Sequence, residues 1–152
     1  MNTTRIANRI TILATALLLL TGCTPKWVAD YDARMLEAIL ATAKQVDGFY
    51  GNLLIAPEDT RPFDQFAEAY VAIEVELRSL VTRNEIRPLN SESTRIATTA
   101  LEQWQQYLSR HREKDGYATR VAELHRKNMQ RLLTAMAKAE QARKYAGEAD
   151  DE

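Results

Sequence analysis

The stretch PFDQFAEAYVAIEVELRSLV, residues 62–81, decides the fold of this chain. Its apolar residues recur at alternating steps of three and four, which places them on one face of a helix. They are Phe63, Phe66, Tyr70, Ile73, Leu77 and Leu80. Residues 73–77 also alternate as a strand would, but the helical pattern is longer and no turn residues bound the alternation. The stretch predicts an amphipathic helix that buries this face against other helices.

An earlier helix is predicted between residues 28 and 54. Its apolar face comprises Tyr31, Met35, Ile39, Val46, Phe49 and Leu53. Gly48 and Gly51 lower the helix propensity near its end, so a kink or an early end at Gly48 stays open. In the turn that follows, Asp59 or Thr60 is expected to cap the second helix.

A third helix is predicted after Pro88, with Asn90 or Ser91 as its N-cap. The residues at its inner positions are Ala97, Ala100, Trp104, Tyr107 and His111. Trp104 is expected to be the largest side chain of the core. Gly116 suits the left-handed conformation that ends a helix, so the third helix is expected to stop there.

A fourth helix is predicted from about residue 117 to residue 146. The residues expected to face the core are Val121, Leu124, Asn128, Leu132, Met136 and Ala139. Asn128 would be a polar residue that fixes the helix register. Beyond Leu133 the sequence is rich in Ala, Lys, Glu and Arg, and this end is expected to project or to pack thinly.

Four amphipathic helices joined by short turns predict an all-α fold, an antiparallel up-down-up-down four-helix bundle. The bundle is expected to cover residues 30–146, followed by an acidic disordered tail at 147–152. In this topology the corners at 55–61 and 114–117 lie at one end, and the corner at 86–90 lies at the other.

Residues 1–22 have the layout of a secretory leader. Arg5 and Arg9 precede the uncharged apolar run 10–20, which as a helix rises about 16 Å against a hydrocarbon core of about 30 Å. The run ends in Leu20-Thr21-Gly22-Cys23, which resembles the lipobox of bacterial lipoproteins of the small all-helical type. An uncleaved signal anchor with an incidental cysteine is the alternative.

The lipobox resemblance implies cleavage before Cys23 and attachment of lipid, including palmitate, to this cysteine. Residues 23–29 would then be the lipidated N-terminus and tether, with the membrane as a partner. Thr24, in place of an aspartate, implies an outer-membrane location facing the periplasm. The only cysteine of the chain would be blocked, so the domain is expected to fold without a disulfide.

Charge and motifs exclude several function classes. Without Arg5 and Arg9 the chain has 18 basic and 21 acidic residues, a net charge of −3 that does not suit nucleic acid. Neither His111 nor His125 has the glutamate three residues before it that a di-iron bundle requires. We find no phosphate-binding glycine loop and no covalent haem motif. The chain is expected to be no enzyme and to hold no metal or cofactor.

The leading hypothesis is a non-enzymatic, lipid-anchored envelope protein that binds another envelope protein or has a structural role. Val71 and Val75, on the outer face of the second helix, form its expected partner surface. A pilotin-like helper of an envelope secretion complex and an exclusion or immunity lipoprotein are alternatives. A third alternative is a bundle that binds a small ligand beside Gly48 and Gly51, or haem between Met35 and His125.

Overall fold

The computed structural model describes residues 29–150, with side chains as far as residue 147. The predictions for the leader 1–22 and for Cys23 lie outside the described residues, as do residues 151 and 152. The described part contains four α-helices and no strand, which confirms the all-α class. They are α1 (Ala33–Ile55), α2 (Ala67–Glu85), α3 (Ser91–Lys114) and α4 (Thr119–Asp150).

Each helix packs against two others around one core. Helix α1 contacts α4 and α2, and α3 contacts α2 and α4, an arrangement consistent with a four-helix bundle. The complete predicted face of α2 is buried, and so are all five predicted inner residues of α3. Trp104 is fully buried, and its Nε1 donates a hydrogen bond of 3.1 Å to the carbonyl oxygen of Tyr70. The apolar periodicity of these two helices therefore predicted their packing correctly.

The starts of the helices differ in part from the predictions. Helix α1 begins after Asp32, whose carboxylate accepts hydrogen bonds from two backbone N–H groups of the first turn. It continues past Gly48 as one helix. The predicted caps of α2 are wrong, because Asp59 and Thr60 lie in a separate short 3₁₀ turn, Glu58–Thr60. A second such turn, Phe63–Gln65, leads into α2, which has no side-chain cap.

The caps of α3 also depend on distant contacts. Asn90 precedes the helix as predicted, but its side chain donates to Asn84 instead of capping. The left-handed residue that ends α3 is Asp115, with φ of 45°, and not Gly116. Aspartate tolerates this conformation better than most residues. The Asp115 carboxylate also accepts a 2.8 Å hydrogen bond from the N–H of Phe63, which holds the turn against the α1–α2 connection.

Helix α4 shows the largest departure from the sequence prediction. Val121 and Leu124 are exposed, and Asn128 is half-buried, donating to the hydroxyl of Tyr107. The helix is turned by one residue, about 100°, relative to the predicted face. The residues that it buries are Ala122, His125, Met129, Leu133, Met136, Ala137 and Glu140. Of the predicted face Met136 is buried, and Leu132 and Ala139 are half-buried. The rest of the prediction was wrong because the true face includes a histidine and a glutamate, which have polar partners inside the fold.

The end of α4 packs against the domain further than the sequence suggested. Met136 and Glu140 are each 1% exposed, so the expected thin packing beyond Leu133 is wrong as far as Glu140. From residue 141 to residue 147 every residue except Arg143 is exposed, as expected for a projecting end. The helix extends to Asp150, and residues 147–150, expected in a disordered tail, are helical in backbone. A buried ion cluster at Glu140 explains why this polar, alanine-rich segment packs against the domain.

Candidate functional site

A histidine lies between two tyrosines where α3 meets the first turns of α4. The rings of His125 and Tyr107 are stacked, with centroids 3.6 Å apart and planes 8° apart. The Tyr117 hydroxyl shares a 2.5 Å hydrogen bond with Nδ1 of His125. Burial lowers the pKa of His125 to about 4, and the positive charge of Arg110 adds to this shift. The imidazole of this His125 cluster (His125, Tyr107 and Tyr117) is therefore neutral near pH 7.

A second buried histidine lies on α3, next to the His125 cluster. Nε2 of His111 is 2.9 Å from the carbonyl oxygen of Arg61, so it must carry the proton and donate. In the neutral ring Nδ1 is then the acceptor, and the Tyr70 hydroxyl donates to it at 3.3 Å. Burial lowers the pKa of His111, against the opposing effects of the hydrogen bond to Arg61 and the charge of Asp115. Both ring nitrogens of His111 are thus occupied by structural contacts.

Arg61 joins the two corners beside this cluster. Its buried guanidinium donates to the carbonyl oxygens of Ala56 and Tyr117 at 2.7–2.9 Å and to the Thr119 hydroxyl at 3.0 Å. A cation is favourable there because the carbonyl groups at the end of α1 carry partial negative charge. Glu58 caps α4 by accepting a 2.8 Å bond from the N–H of Thr119, which lowers the pKa of this carboxyl. The corners at 55–61 and 114–117 therefore meet, as expected from the sequence.

A pocket of about 190 Å³ opens beside the His125 cluster. The residues that line it are Tyr107, Arg110, His111, Lys114, Gly116, Tyr117, Ala118, Val121 and His125. This volume is below the range of about 300–1,000 Å³ for drug-sized sites, so the pocket has room only for a small molecule. Arg110 and Lys114 supply positive charge, and no acidic residue lines the walls. The chemistry of the pocket favours a ligand with an apolar body and one anionic group.

The buried hydroxyl groups of three tyrosines near the His125 cluster are neutral. Burial raises the pKa of Tyr117 to about 12, and it raises the pKa values of Tyr50 and Tyr70 further. Tyr50 is completely buried, and its hydroxyl has no hydrogen-bond partner among the described residues. No described residue hydrogen-bonds to Nε2 of His125, which leaves this nitrogen available to a ligand. Among the residues that line the pocket, the charged side chains are those of Arg110 and Lys114, and both residues are exposed.

The other polar concentration is the Glu140 cluster, formed by Glu140, Arg87, Arg143 and the backbone of Asp32. Both oxygens of the buried Glu140 accept from Arg87, at 2.9 and 3.0 Å, and one also accepts from Arg143 at 2.5 Å. The N–H of Asp32 donates to it at 2.7 Å. Burial alone would raise the pKa of Glu140, but these donors and the two arginine charges lower it.

The Glu140 cluster extends into the corner between α2 and α3. Arg143 donates to Asn90 at 2.6 Å and to Ser93 at 2.8 Å. Arg87 also donates to the carbonyl oxygen of Asp30. The cluster therefore connects the start of the described chain, the α2–α3 corner and the end of α4.

The site residues predicted from the sequence are not brought together. Val71 and Val75 are 60% and 58% exposed on the outer face of α2, away from the pocket. Met35 lies at the Glu140 end of the bundle, one turn after Asp32, whose N–H donates to Glu140. His125 lies on α4, fifteen residues before Glu140. Fifteen helical residues rise about 22 Å, so the two cannot be axial ligands of one haem. Neither described pocket includes Gly48 or Gly51.

Further observations limit the chemistry of the described part. No group of three or more His, Cys, Asp or Glu side chains in residues 29–147 is placed to hold a metal ion. No described helix is long and apolar enough to cross a membrane. A shallow groove of about 710 Å³ runs along the first turns of α3, lined mainly by polar residues that include Thr94, Thr98 and Glu102.

Sequence reasoning missed His125 and Glu140 as buried residues, although a signal was present. Positions 122, 125, 129, 133, 136 and 140 recur at steps of three and four, as an inner helix face does. The two polar residues in this series made the competing pattern through Val121 and Leu124 look more apolar.

The chain matches no protein-family model, and neither curated proteins nor solved structures show a significant similarity to it.

Proposed function

We propose that this chain is a lipid-anchored protein of the bacterial cell envelope whose helical domain is a non-enzymatic protein-binding or structural module. The lipid is attached to Cys23 and holds the domain at the periplasmic face of the outer membrane. The lipobox and Thr24 support this placement. Two or three acyl chains give lasting attachment, because each buried methylene contributes about 0.8 kcal/mol.

One observation carries the proposal: the chain is hydrogen-bonded to the helical domain from its first described residue, Ala29, which is only six positions after Cys23. The N–H of Ala29 donates to the carbonyl oxygen of Leu89 at 3.2 Å, and the N–H of Asp32 donates to the buried Glu140. A six-residue tether spans at most about 21 Å. An anchor at Cys23 therefore keeps the domain next to the membrane, as a module that serves a membrane-bound assembly requires.

The helix order that fits this proposal is up-down-up-down. Two sets of contacts support it. Arg61, in the α1–α2 connection, bonds to Tyr117 between α3 and α4, whereas Arg87, between α2 and α3, bonds to Asp30 and Glu140. In this order the α2–α3 corner lies at the membrane end and the pocket lies at the far end.

The proposed partner surface is the outer face of α2 at Val71 and Val75. The exposure of both side chains supports it, because large apolar residues at consecutive helical turns are the usual anchor points of a docked helix. A pilotin-like role is one form of this function, and exclusion or immunity is another.

The anchor and the partner surface are tested with separate variants. Cys23→Ser is expected to release the protein from membranes and to abolish labelling with palmitate. A photo-crosslinking amino acid at Val71 or Val75 is expected to give a defined adduct in intact envelopes, and the same group at Leu40, exposed on α1, is the control. Unchanged fractionation of Cys23→Ser would contradict the anchor, and identical adducts at all three sites would contradict the partner surface.

A second candidate function is the binding of a small anionic molecule, which the pocket beside the His125 cluster favours. Benzoate matches its size and charge, and benzyl alcohol is a neutral analogue of similar shape. Benzoate is expected to shift the NMR signals of Tyr107 and Tyr117 more than benzyl alcohol does, and Arg110→Gln is expected to weaken this response. Equal or absent shifts for both molecules would contradict the candidate.

A further inference from the structure

The corner between α2 and α3 exposes apolar side chains that the domain does not use. Ile86 is 77% exposed and Leu89 is 56% exposed, and Pro88 between them is also exposed. Arg87, the charged residue of this segment, points inward to Glu140, and its side chain is only 14% exposed. Ile86, Pro88 and Leu89 therefore form an apolar corner surface that its own arginine does not interrupt.

The backbone of this corner surface is strained at Leu89. Its φ of 56° lies in the left-handed region, which residues other than Gly, Asn and Asp rarely adopt. The side chain gains little packing in return, because more than half of it is exposed. A strained residue that does not stabilise the core points to a role outside the domain.

The start of the described chain runs directly past the corner surface. The N–H of Ala29 donates to the carbonyl oxygen of Leu89 at 3.2 Å, and the carbonyl oxygen of Asp30 accepts from Arg87. Six residues link Ala29 back to Cys23, a reach of at most about 21 Å. A lipid at Cys23 thus holds the corner surface near the bilayer at a high effective concentration, so weak apolar contacts suffice to dock it.

The other end of the domain provides a contrast with the same residue type. Ile55 is 84% exposed, but exposed acidic residues, Glu58 and Asp59, follow it. The connection that contains them is joined through Arg61 to the α3–α4 turn and is far from Ala29 along α1. Exposed Glu85 directly precedes Ile86 as well, so acidic neighbours do not distinguish the two corners. Their distance from the tether does.

We propose that the corner surface, Ile86, Pro88 and Leu89, rests in the lipid headgroup region and makes a second, non-covalent contact of the domain with the membrane. The proposal rests on the proposed lipid at Cys23. The two contacts together fix the orientation of the domain. The pocket and the first turns of α2 are then held away from the bilayer. The occupant of this surface is the lipid bilayer that carries the anchor.

The test uses the full acylated protein in vesicles of phosphatidylethanolamine and phosphatidylglycerol. Ile86→Cys, Leu89→Cys and the control Ile55→Cys are each labelled with an environment-sensitive fluorophore. Acylated Cys23 is blocked, so mass spectrometry is expected to find one label per chain. The probes at positions 86 and 89 are expected to shift their emission to the blue and to lose intensity with lipids spin-labelled near the headgroup. The probe at position 55 is expected to do neither.

The outcomes separate the anchor from the corner contact. Two labels per chain, or failure to float with vesicles, would overturn the anchor and with it the corner proposal. One label per chain with equal, unquenched emission at all three positions would keep the anchor and overturn the corner contact. Protection of positions 86 and 89 in isolated envelopes but not in vesicles would overturn it as well, because the occupant would then be a protein.

Discussion

The two ends of α4 bury polar groups in opposite ways. At the Glu140 cluster a buried carboxylate stays charged because two arginines and a backbone N–H bind it. At the His125 cluster a buried imidazole stays neutral, stacked on Tyr107 and bonded to Tyr117. The free-energy cost of burying a charge is offset at the Glu140 cluster by charge pairing, and it is avoided at the His125 cluster because the imidazole is neutral.

This difference makes the Glu140 end of α4 structurally fixed and the His125 end tolerant of change. Removing a partner from a buried ion cluster leaves an uncompensated charge, so the Glu140 cluster tolerates little change. A neutral cluster beside an open pocket loses only a hydrogen bond or a ring contact, so it has room to accept a ligand. The contrast predicts how each end responds to substitution and to pH.

The largest effect is expected from Glu140→Gln. The substitution keeps the shape of the side chain but leaves Arg87 and Arg143 largely buried without a counter-charge. We expect the free energy of unfolding to fall by about 3–5 kcal/mol, measured by urea denaturation.

Glu92→Gln is the matched control, because Glu92 pairs with Arg95 on an exposed surface of α3. It is expected to change stability by no more than about 0.5 kcal/mol. Similar losses for the two variants would contradict a buried ion cluster at Glu140.

Arg61→Lys tests the opposite end. Lysine keeps the charge, but its single nitrogen cannot reach the carbonyl oxygens of Ala56 and Tyr117 and the Thr119 hydroxyl at once. A loss of about 1–3 kcal/mol in unfolding free energy is expected. Arg120→Lys, at an exposed position of α4, serves as the control and is expected to be neutral within about 0.5 kcal/mol. Equal stability of both variants would argue against Arg61 as the link between the corners.

The two ends are also expected to lose stability in different pH ranges. The pKa of His125 is about 4 in the folded protein and about 6.5 when unfolded, so the unfolded chain binds more protons between these values. Stability should therefore fall as the pH drops through this range, by about 1–2 kcal/mol between pH 7 and pH 5. Glu140 follows the same sign at lower pH: its pKa is also lowered on folding, so its contribution is complete above the usual carboxyl range and is lost as the pH falls through that range towards the lowered pKa.

His125→Phe isolates the first of these contributions. Phenylalanine keeps a ring against Tyr107 but has no titrating group. The slope of unfolding free energy between pH 7 and pH 5 is expected to decrease, and the remainder belongs in part to His111, whose pKa is also lowered. An unchanged slope would mean that His125 is not the neutral, buried group.

The apolar faces of α2 and α3 were predictable because each is a long periodic run with one dominant register. The register of α4 was not, because two patterns offset by one residue compete and the true one includes His125 and Glu140. These side chains are buried only because Tyr107 and Arg87 lie opposite them in the fold. Arg87 is 53 positions away in sequence, a relation that local periodicity does not contain.

The end of α3 illustrates the same limit on a smaller scale. Gly116 has the higher intrinsic preference for the left-handed conformation, so the sequence favoured it. Asp115 adopts this conformation instead, because its carboxylate binds the N–H of Phe63 from the α1–α2 connection. A tertiary hydrogen bond outweighs a backbone preference of about 1 kcal/mol.

The smallest effect is expected at Leu89, and it compares the left-handed residues of the two ends. Asp115 tolerates its positive φ, and its carboxylate accepts a hydrogen bond from Phe63. Leu89 has a positive φ that leucine disfavours, and its apolar side chain is more than half exposed. Leu89→Asn is expected to stabilise the domain by about 0.5–1 kcal/mol, because asparagine tolerates positive φ. Leu40→Asn, at an exposed leucine within α1, should instead cost about 0.5 kcal/mol through lower helix propensity. Thermal melts that show a loss at both positions would contradict strain at Leu89, whereas opposite signs would mean that the chain retains a leucine there at the expense of its own stability.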